Sequence, residues 1–158
     1  AGTSGNYAGQ VPGQFDEATF QNIMRVNAFA PLRISDAFLE NVRSSEQKKI
    51  IAISSGRGSV SKPFLEQRAY FYDMSKSALN LGMRKLQHHV ADKGVLLGIM
   101  APGIVDTDLN NDLRNGLPAT RKLITPEESA AALITLIANL SKENQHRFLN
   151  YNGEAFDW

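Results

Sequence analysis

Two short apolar runs constrain the fold of this chain more than any other feature. They are Lys49–Ser54 (KIIAIS) and Val95–Met100 (VLLGIM), and a segment containing glycine or proline follows each of them. Their apolar residues are consecutive instead of alternating with polar ones, which is typical of strands buried on both faces of a parallel sheet. The sequence therefore predicts two parallel strands with helices packed on both sides of the sheet.

Longer segments with apolar residues at helical spacing separate these strands. Three helices are predicted on this basis, over about residues 16–42, 67–92 and 125–140. Asp16 and Thr125 are the expected N-caps of the first and third helices. A short helix is predicted within residues 109–116, and a final strand over Arg147–Tyr151 (RFLNY). This alternation predicts an α/β fold built from right-handed parallel β-α-β units.

Composition excludes several classes of function. The chain has 158 residues, with 17 Lys and Arg against 16 Asp and Glu, so its net charge of +1 provides no basic field for nucleic acid. It has 0 Cys, which excludes disulfides, thiolate metal sites and a cysteine nucleophile. No apolar segment reaches the roughly 18 residues of a membrane helix, and no histidine has metal-ligand spacing. We therefore expect a single domain over residues 1–158, in a soluble cytoplasmic protein without a metal.

The most specific chemical motif is Tyr72-Asp73-Met74-Ser75-Lys76, on the second predicted helix. Residues four apart share a helical face, and an ammonium about 6 Å from a phenol lowers the phenol pKa by about 2 units at an effective dielectric constant near 20. A tyrosine so placed can act as a general acid or base near neutral pH. The alternative is an amphipathic helix with an interfacial tyrosine and a solvated lysine.

Two other segments carry groups that suit this chemistry. Ser55 lies at the end of the first strand, where a hydroxyl can bond a substrate oxygen, although serine is also a common turn former. Pro31 has no N–H for the carbonyl of Asn27, so the first helix is expected to kink there. The kink would free the Asn27 carbonyl for a water or for the ammonium of Lys76. An ordinary proline kink is the alternative.

Taken together, these motifs resemble the carboxyl-terminal part of the short-chain dehydrogenase/reductase family, and the likeness covers nearly the whole chain. It is carried by Ala1-Gly2, VNAFAPL with Asn27, IIAISS with Ser55, YDMSKSALN with Tyr72 and Lys76, and PGIVDT from Pro102 to Thr107. The ISSGRGS segment is similar to carbonyl-reductase-like members related to C-factor and sniffer. The resemblance implies a partial Rossmann-type, doubly wound parallel sheet in three α/β/α layers, with the amino-terminal half missing.

The resemblance also implies an enzyme, an NAD(P)-dependent oxidoreductase that acts on a carbonyl or an alcohol. Tyr72 would exchange a proton with the substrate oxygen, which Ser55 would hold. Lys76 would lower the pKa of Tyr72 and bind the nicotinamide ribose. The Asn27 carbonyl would hold a water that relays protons to Lys76.

For the cofactor, the resemblance implies NAD(P), with NADP favoured. The cofactor-binding residues would be Tyr72, Lys76, Pro102, Gly103, Ile104 and Thr107, of which Ile104 and Thr107 would hold the carboxamide. Residues 56–66 and 109–124 would line the substrate pocket. A homodimer or homotetramer is implied, because the long helices of relatives pair across a twofold axis. The apolar residues expected to be exposed on those helices include Phe29, Leu32 and Leu81.

The sequence departs from the family pattern in two respects. Ser59 is a rival to Ser55 as the substrate-binding serine, and Ser55 is preferred because a strand end is better fixed than a loop. The glycine-rich turn that cradles dinucleotide phosphates in the family is absent from this sequence. The chain therefore looks like a fragment. This predicts weak or no NAD(P) binding by the chain alone, and a first strand left at the edge of the sheet and open to association.

The absent turn keeps a second class of function open. It is a non-catalytic Rossmann-like module that acts through partner binding or oligomerisation. The retained Asn27, Ser55, Tyr72 and Lys76 favour the enzyme. A serine hydrolase is rejected, because the sequence has neither a G-x-S-x-G elbow nor a suitable order of Ser, His and acid.

Overall fold

The computed structural model describes residues 2–61, 68–113 and 123–158. A four-stranded sheet is formed by β1 (Lys49–Ile53), β2 (Leu96–Ala101), β3 (Phe148–Asn150) and β4 (Ala155–Phe156), in that spatial order. The first three strands are parallel. The predicted α/β fold with parallel β-α-β units is therefore confirmed.

The sequence did not predict β4, which runs antiparallel to β3 and makes the sheet mixed. A tight turn joins the two strands: the Asn150 N–H donates to the Glu154 carbonyl at 2.8 Å, and the Gly153 N–H donates to the Asn150 carbonyl at 2.9 Å. Gly153 has a φ of +85°, a conformation that glycine adopts without strain. Because the chain turns here, β3 is shorter than the predicted strand.

Five α-helices are present in the described residues: α1 (Glu17–Met24), α2 (Ala30–Ala37), α3 (Leu39–Ser44), α4 (Tyr70–Ala91) and α5 (Pro126–Ala138). Short 3-10 turns cover Tyr7–Gln10, Gly56–Gly58 and Asp108–Leu113. Both predicted N-caps are confirmed. Asp16 accepts the Thr19 N–H at 2.7 Å, and Thr125 forms a capping box with Glu128.

The predicted helix over residues 16–42 is interrupted twice. A π turn, Arg25–Phe29, separates α1 from α2, and the Ala30 N–H donates to the Arg25 carbonyl. Pro31 explains this irregularity, because it has no N–H for the carbonyl four residues before it. The second break is at Phe38, where φ is −100° and ψ is 8°. The expected irregularity at Asn27 is thus a π turn. The single helix predicted over residues 16–42 is divided into α1, α2 and α3.

Other helix bounds differ by a few residues from those predicted. α4 begins at Tyr70, and the predicted start at Gln67 lies outside the described residues. The helix expected within 109–116 is a 3-10 turn as far as Leu113, and 114–116 also lie outside. α5 ends at Ala138 instead of continuing through Leu140. Leu140 is buried and packs onto the sheet beside Gly98.

The core lies between α4 and one face of the sheet. From α4 it includes Leu79, Met83 and Val90. The sheet residues in the same cluster are Ile50, Ala52, Leu97, Ile99, Ala101 and Phe148. Successive side chains of a strand point to opposite faces, so Gly98 belongs to the other face, where a Cβ would lie 3.1 Å from Leu140 Cδ2. α4 thus covers one face of the sheet, and Leu140, just beyond the end of α5, packs on the other face.

Burial distinguishes the two predicted strands. β2 is buried along most of its length, whereas β1 is only partly buried, and Ile53 is 40% exposed. β1 lies at the edge of the sheet among the described residues.

Phe29 and Leu81 are exposed as expected, but Leu32 packs against the core. Its predicted exposure is wrong, because it fills the space above Gly82 of α4. In the described ranges, no helix combines the length and apolarity needed to span a bilayer.

We expect Gly58→Ala to lower the free energy of unfolding by about 2 kcal/mol. A Cβ at residue 58 would lie 2.7 Å from Asn80 Nδ2 and 2.9 Å from the Lys76 carbonyl oxygen, so the turn after β1 has to move away from α4. Urea unfolding measures the loss. Gly13→Ala is the control, because Gly13 has a φ of +84° and nothing within 4 Å of an added Cβ. It reports conformational strain alone, about 1 kcal/mol. Equal losses in the two variants would contradict this explanation.

Candidate active site

The carboxyl ends of β1 and β2 open into a pocket of about 500 Å³. This is the edge at which open parallel sheets bind ligands. Six of the predicted site residues line it: Ser55, Tyr72, Pro102, Gly103, Ile104 and Thr107. The other two, Asn27 and Lys76, are buried and do not belong to the lining. Sequence reasoning therefore identified three walls of the pocket, namely the turn after β1, the start of α4 and the loop after β2.

Tyr72 and Ser55 are brought together in this pocket. The Ser55 hydroxyl lowers the pKa of Tyr72 by hydrogen bonding, but burial has the larger effect and raises that pKa above its ordinary value of 10.0. Among the charged neighbours, Arg57 lowers the pKa of Tyr72 and Asp73 raises it. Tyr72 is therefore a phenol at neutral pH, with a proton to donate at the pocket wall.

Lys76 lies on the same side of α4 as Tyr72, as the spacing predicts. Its Nζ is 5.7 Å from the centroid of the Tyr72 ring and donates to the Ile53 carbonyl at 3.4 Å. The side chain is 5% exposed, and burial lowers the pKa of Lys76. The expected lowering of the Tyr72 pKa by Lys76 is not found here. The reason is that burial disfavours the charged form of both groups.

Asn27 joins the amino-terminal loop to α4 through its side chain. Its Oδ1 accepts the Thr3 N–H at 2.9 Å, and its Nδ2 donates to the Thr3 carbonyl at 2.8 Å and to Ser75 Oγ at 3.0 Å. Gly2 lies between Asn27 and Lys76: a Cβ there would be 3.2 Å from Asn27 Oδ1 and 3.5 Å from Lys76 Nζ. Asn27 therefore lies close to Lys76, as expected, and its side-chain contacts are additional to the predicted role of its carbonyl.

Three of the serines after β1 have different partners. Ser54 Oγ donates to Asn80 Oδ1 at 2.5 Å and is buried. Ser59 is also buried, and its Oγ donates to the Asp157 carbonyl at 2.7 Å. Ser55 alone of the two candidate serines lines the pocket and contacts Tyr72. The geometry thus favours Ser55, the residue preferred from the sequence, over Ser59.

An ion pair connects the turn that carries Ser55 with the helix that carries Tyr72. Arg57 Nε donates to Asp73 Oδ1 at 2.6 Å, and Arg57 Nη2 donates to Asp73 Oδ2 at 3.0 Å. The two side chains are 19% and 23% exposed, so solvent and salt screen this bidentate pair less than a surface salt bridge. Because Asp73 is the next residue after Tyr72, the pair holds the two hydroxyl-bearing segments at a defined separation.

The loop after β2 is held in an open shape by contacts with α5 and the segment before it. Gly103 has a φ of +82°, and a Cβ there would lie 2.7 Å from Tyr151 Cδ1. Ser129 Oγ donates to the Pro102 carbonyl at 2.7 Å. Asn110 Nδ2 donates to the Val105 carbonyl at 2.8 Å. These bonds fix the backbone of the predicted cofactor loop against the pocket.

Sequence reasoning missed a fourth wall and a fifth. The pocket residues in these two walls are Ser4 and Tyr7, and Asn150, Tyr151 and Phe156. Arg68, just before α4, was missed as well. Four residues of the two segments predicted to line the pocket do line it: Gly56, Arg57, Leu109 and Asn110. Tyr7 lies in a glycine-rich loop without periodicity, and Tyr151 and Phe156 flank the turn of the unpredicted hairpin. Aromatic residues in such segments were the available indication, because loops at strand ends carry binding residues. Residues 62–66 and 114–122, predicted to line the pocket, lie outside the described residues.

No metal centre accompanies these groups in the part of the chain that the structure describes. Groups of three or more His, Cys, Asp or Glu side chains that could hold an ion are absent there. The chemistry to be explained is therefore that of the hydroxyls of Tyr72 and Ser55, the ammonium of Lys76 and the polar contacts around them.

The chain is similar in sequence to several curated proteins. The C-signal protein of Myxococcus xanthus is 29% identical over 158 residues, covering 100% of this chain and 89% of that relative. The 1-hydroxy-2-glutathionyl-2-methyl-3-butene dehydrogenase of Rhodococcus sp. (strain AD45) is 31% identical over 146 residues, covering 92% of this chain and 62% of the relative.

A solved structure shares the fold. The NADPH-bound carbonyl reductase from chicken fatty liver superposes with a TM-score of 0.84 and 27% identity, over 98% of this chain and 63% of that one. The chain thus spans less than two thirds of the length of that reductase and of the Rhodococcus dehydrogenase. The family model described as short chain dehydrogenase matches residues 1–118. The chain therefore belongs to the short-chain dehydrogenase family.

Proposed function

We propose that this chain is the catalytic, carboxyl-terminal part of an NAD(P)-dependent oxidoreductase that interconverts a carbonyl compound and its alcohol. One observation carries the proposal: the side chains of Tyr72 and Ser55 line the same ligand-sized pocket at the carboxyl ends of parallel strands. Family membership and the carbonyl reductase relative support the same class of reaction.

The residues around the pocket fit the nicotinamide end of such a cofactor. Lys76 Nζ can donate three hydrogen bonds, and its bond to the Ile53 carbonyl is long, at 3.4 Å. It is thus suited to bind ribose hydroxyls beside Tyr72. Pro102, Gly103, Ile104 and Thr107 would hold the nicotinamide ring. NADP is the favoured form, because the related chicken reductase was solved with NADPH.

The proposed reduction adds a hydride to the carbonyl carbon and a proton to the carbonyl oxygen. A bound nicotinamide supplies the hydride. Tyr72 and Ser55 both donate hydrogen bonds to the carbonyl oxygen, which polarises the C=O bond, and the Tyr72 proton then forms the new O–H bond. The Tyr72 phenolate recovers a proton through Lys76 and a water held at the Asn27 carbonyl. In alcohol oxidation the same groups act in reverse.

A second candidate function is a non-catalytic module that binds a partner or a second copy of the chain. It is favoured by the absence from this sequence of a glycine-rich phosphate-binding turn, and by the exposure of Phe29 and Leu81. Turnover separates the two candidates. It is assayed in this chain and in the longest natural polypeptide that contains it, with carbonyl substrates and NADPH or NADH. Homo-oligomerisation stays a prediction in either case.

Tyr72→Phe is expected to reduce carbonyl turnover about a thousandfold, because the variant lacks the donated proton but keeps the ring. Cofactor affinity is expected to change little. Consumption of NADPH and a titration of cofactor binding measure the two effects. Tyr70→Phe is the matched control, because Tyr70 is two residues away, contacts Phe15 and is not part of the pocket lining. Turnover by Tyr72→Phe at the wild-type rate would rule out its role as proton donor.

Carbonyl reduction by the longest natural polypeptide that contains this chain is expected to be independent of pH near neutrality. It should fall as the pH rises through the pKa of Tyr72, which burial places above 10.0, since only the protonated phenol donates. Asp73→Asn should move this fall to lower pH and Arg57→Gln to higher pH, because these charges act oppositely on the pKa of Tyr72. Profiles of kcat/KM against pH test both shifts. A shift in the same direction for both variants would contradict the electrostatic explanation.

Lys76→Met is expected to raise the free energy of unfolding by about 1 kcal/mol while reducing turnover. Folding buries the Lys76 ammonium, which lowers its pKa, and methionine avoids that burial. The gain should be present at neutral pH and should shrink as the pH rises towards 10.5, where the unfolded lysine also loses its proton. Chemical unfolding at several pH values measures it. Lys85→Met, at an exposed position of α4, should change stability by less than about 0.5 kcal/mol. A loss of stability in Lys76→Met would refute the prediction.

A further inference from the structure

The helix that carries Tyr72 has no N-cap of its own. Ala69, the residue before α4, has a φ of +61° and makes no side-chain cap. The first N–H groups of a helix need partners from outside it. One of them, the N–H of Tyr72, donates to Gln10 Oε1 at 3.0 Å. The cap is thus supplied by a residue that is remote in sequence, on the amino-terminal loop.

Gln10 connects this helix start to the loop in which Gln10 lies. Its side chain is 0% exposed. Its Nε2 donates to the Ser4 carbonyl at 2.6 Å and to the Asn6 carbonyl at 3.2 Å. Both donors and the acceptor of the amide are therefore engaged, as a buried amide requires. Loss of the amide would leave three backbone groups without these partners.

The loop that Gln10 holds is a wall of the pocket. Ser4 and Tyr7 both line the pocket, in a segment that sequence reasoning did not identify. Asn27 holds the beginning of the same loop, at Thr3, and also contacts Ser75 of α4. Two buried amides thus fasten one pocket wall to α4, and only that of Gln10 bonds to Tyr72 itself.

We propose that Gln10 is a positioning residue, which sets Tyr72 at a defined place relative to Ser55 and to the pocket wall formed by Ser4 and Tyr7. The catalytic part of this inference rests on the proposed function, whereas the placement of the Tyr72 phenol does not. The acceptor of Gln10 acts on Tyr72, and its donors act on the pocket wall. Loss of the acceptor should therefore lower kcat, and loss of the donors should raise the KM for the carbonyl substrate.

The test compares Gln10→Met with Gln87→Met. Methionine has a similar length but lacks the strong donor and acceptor groups. Gln87 is a matched control, because it is also a buried glutamine that donates to two carbonyls, those of Leu97 and Gln145, at 2.7 and 2.6 Å. It lies on α4 far along the helix from Tyr72. Thermal unfolding followed by circular dichroism checks that both variants fold.

The first readout does not need turnover. Tyrosine ring carbons are labelled with ¹³C, Tyr72 is assigned with Tyr72→Phe, and its phenol is titrated by NMR in each variant. The hydrogen bond with Ser55 lowers the pKa of Tyr72, so a displaced Tyr72 should titrate at a higher pH in Gln10→Met. Gln87→Met should titrate like the wild type. Because Gln10 is uncharged and contacts only the backbone of Tyr72, a purely local change would not move this titration.

The second readout is kinetic. Gln10→Met is expected to lower kcat about tenfold, the equivalent of one hydrogen bond, and to raise the KM for the carbonyl substrate. Gln87→Met should leave both within twofold of the wild type. A folded Gln10→Met with the wild-type titration and kinetics overturns the inference. A shifted titration, together with no turnover by the longest natural polypeptide that contains the chain, supports the inference and refutes the proposed function instead.

A second variant covers the case in which Gln10→Met does not fold. Gln10→Glu keeps an oxygen for the Tyr72 N–H and loses at least one donor to the loop. Its carboxylate should raise the pKa of Tyr72, as that of Asp73 does, so this variant is judged by its kinetics: kcat is expected to stay within about twofold of the wild type, and the KM is expected to rise several-fold. A lowered kcat with an unchanged KM would overturn the assigned division between acceptor and donors.

Discussion

Burial of two polar side chains on one face of α4 is the constraint on which the rest of the site depends. Lys76 is buried and Tyr72 is half-buried at the pocket wall, and in both cases burial disfavours the charged form. Further along the same helix, Leu79, Met83 and Val90 pack on the sheet. That packing fixes the rotation of the helix and therefore presses Tyr72 and Lys76 against the strand ends. The packing of the core thus determines how deeply the polar side chains of Tyr72 and Lys76 are buried.

Polar contacts, more than apolar ones, attach the surrounding loops to the start of α4. Asn80 Nδ2 and Ser77 Oγ both donate to the Gly58 carbonyl at 3.2 Å, and Arg57 pairs with Asp73. These bonds hold the turn after β1 against the helix. Hydrogen bonds are directional, so they orient segments beside a pocket that has to stay open, where close apolar packing would fill it. The price of this arrangement is that every buried partner has to be satisfied, and α4 meets that requirement with residues from distant parts of the chain.

The sequence was sufficient to predict the parallel strands and the helical layers because these follow from the spacing of apolar residues. It failed where the outcome depends on contacts between distant segments. Pro31 indicated an irregular helix near Asn27, but the spacing does not distinguish a kink from the π turn that forms. The strand β4 has only two residues, too few for a periodic pattern. Leu32 was expected to be exposed, but it packs above Gly82 of α4. That contact depends on how the two helices cross, which the spacing of apolar residues does not reveal.

Some features of the site were likewise predictable from the sequence, and others were not. Helical spacing was enough to place Tyr72 and Lys76 on one face, and chain order put Ser55 at a strand end beside them. Depth of burial is not encoded in spacing, and it decides the sign of the pKa shift of Tyr72. The attraction between an ammonium and a phenolate grows as water is removed, but so does the free-energy cost of forming either ion. In this chain the second effect is larger. A ligand that offers hydroxyl acceptors to Lys76 would favour its charged form, and only a charged Lys76 stabilises a phenolate at Tyr72.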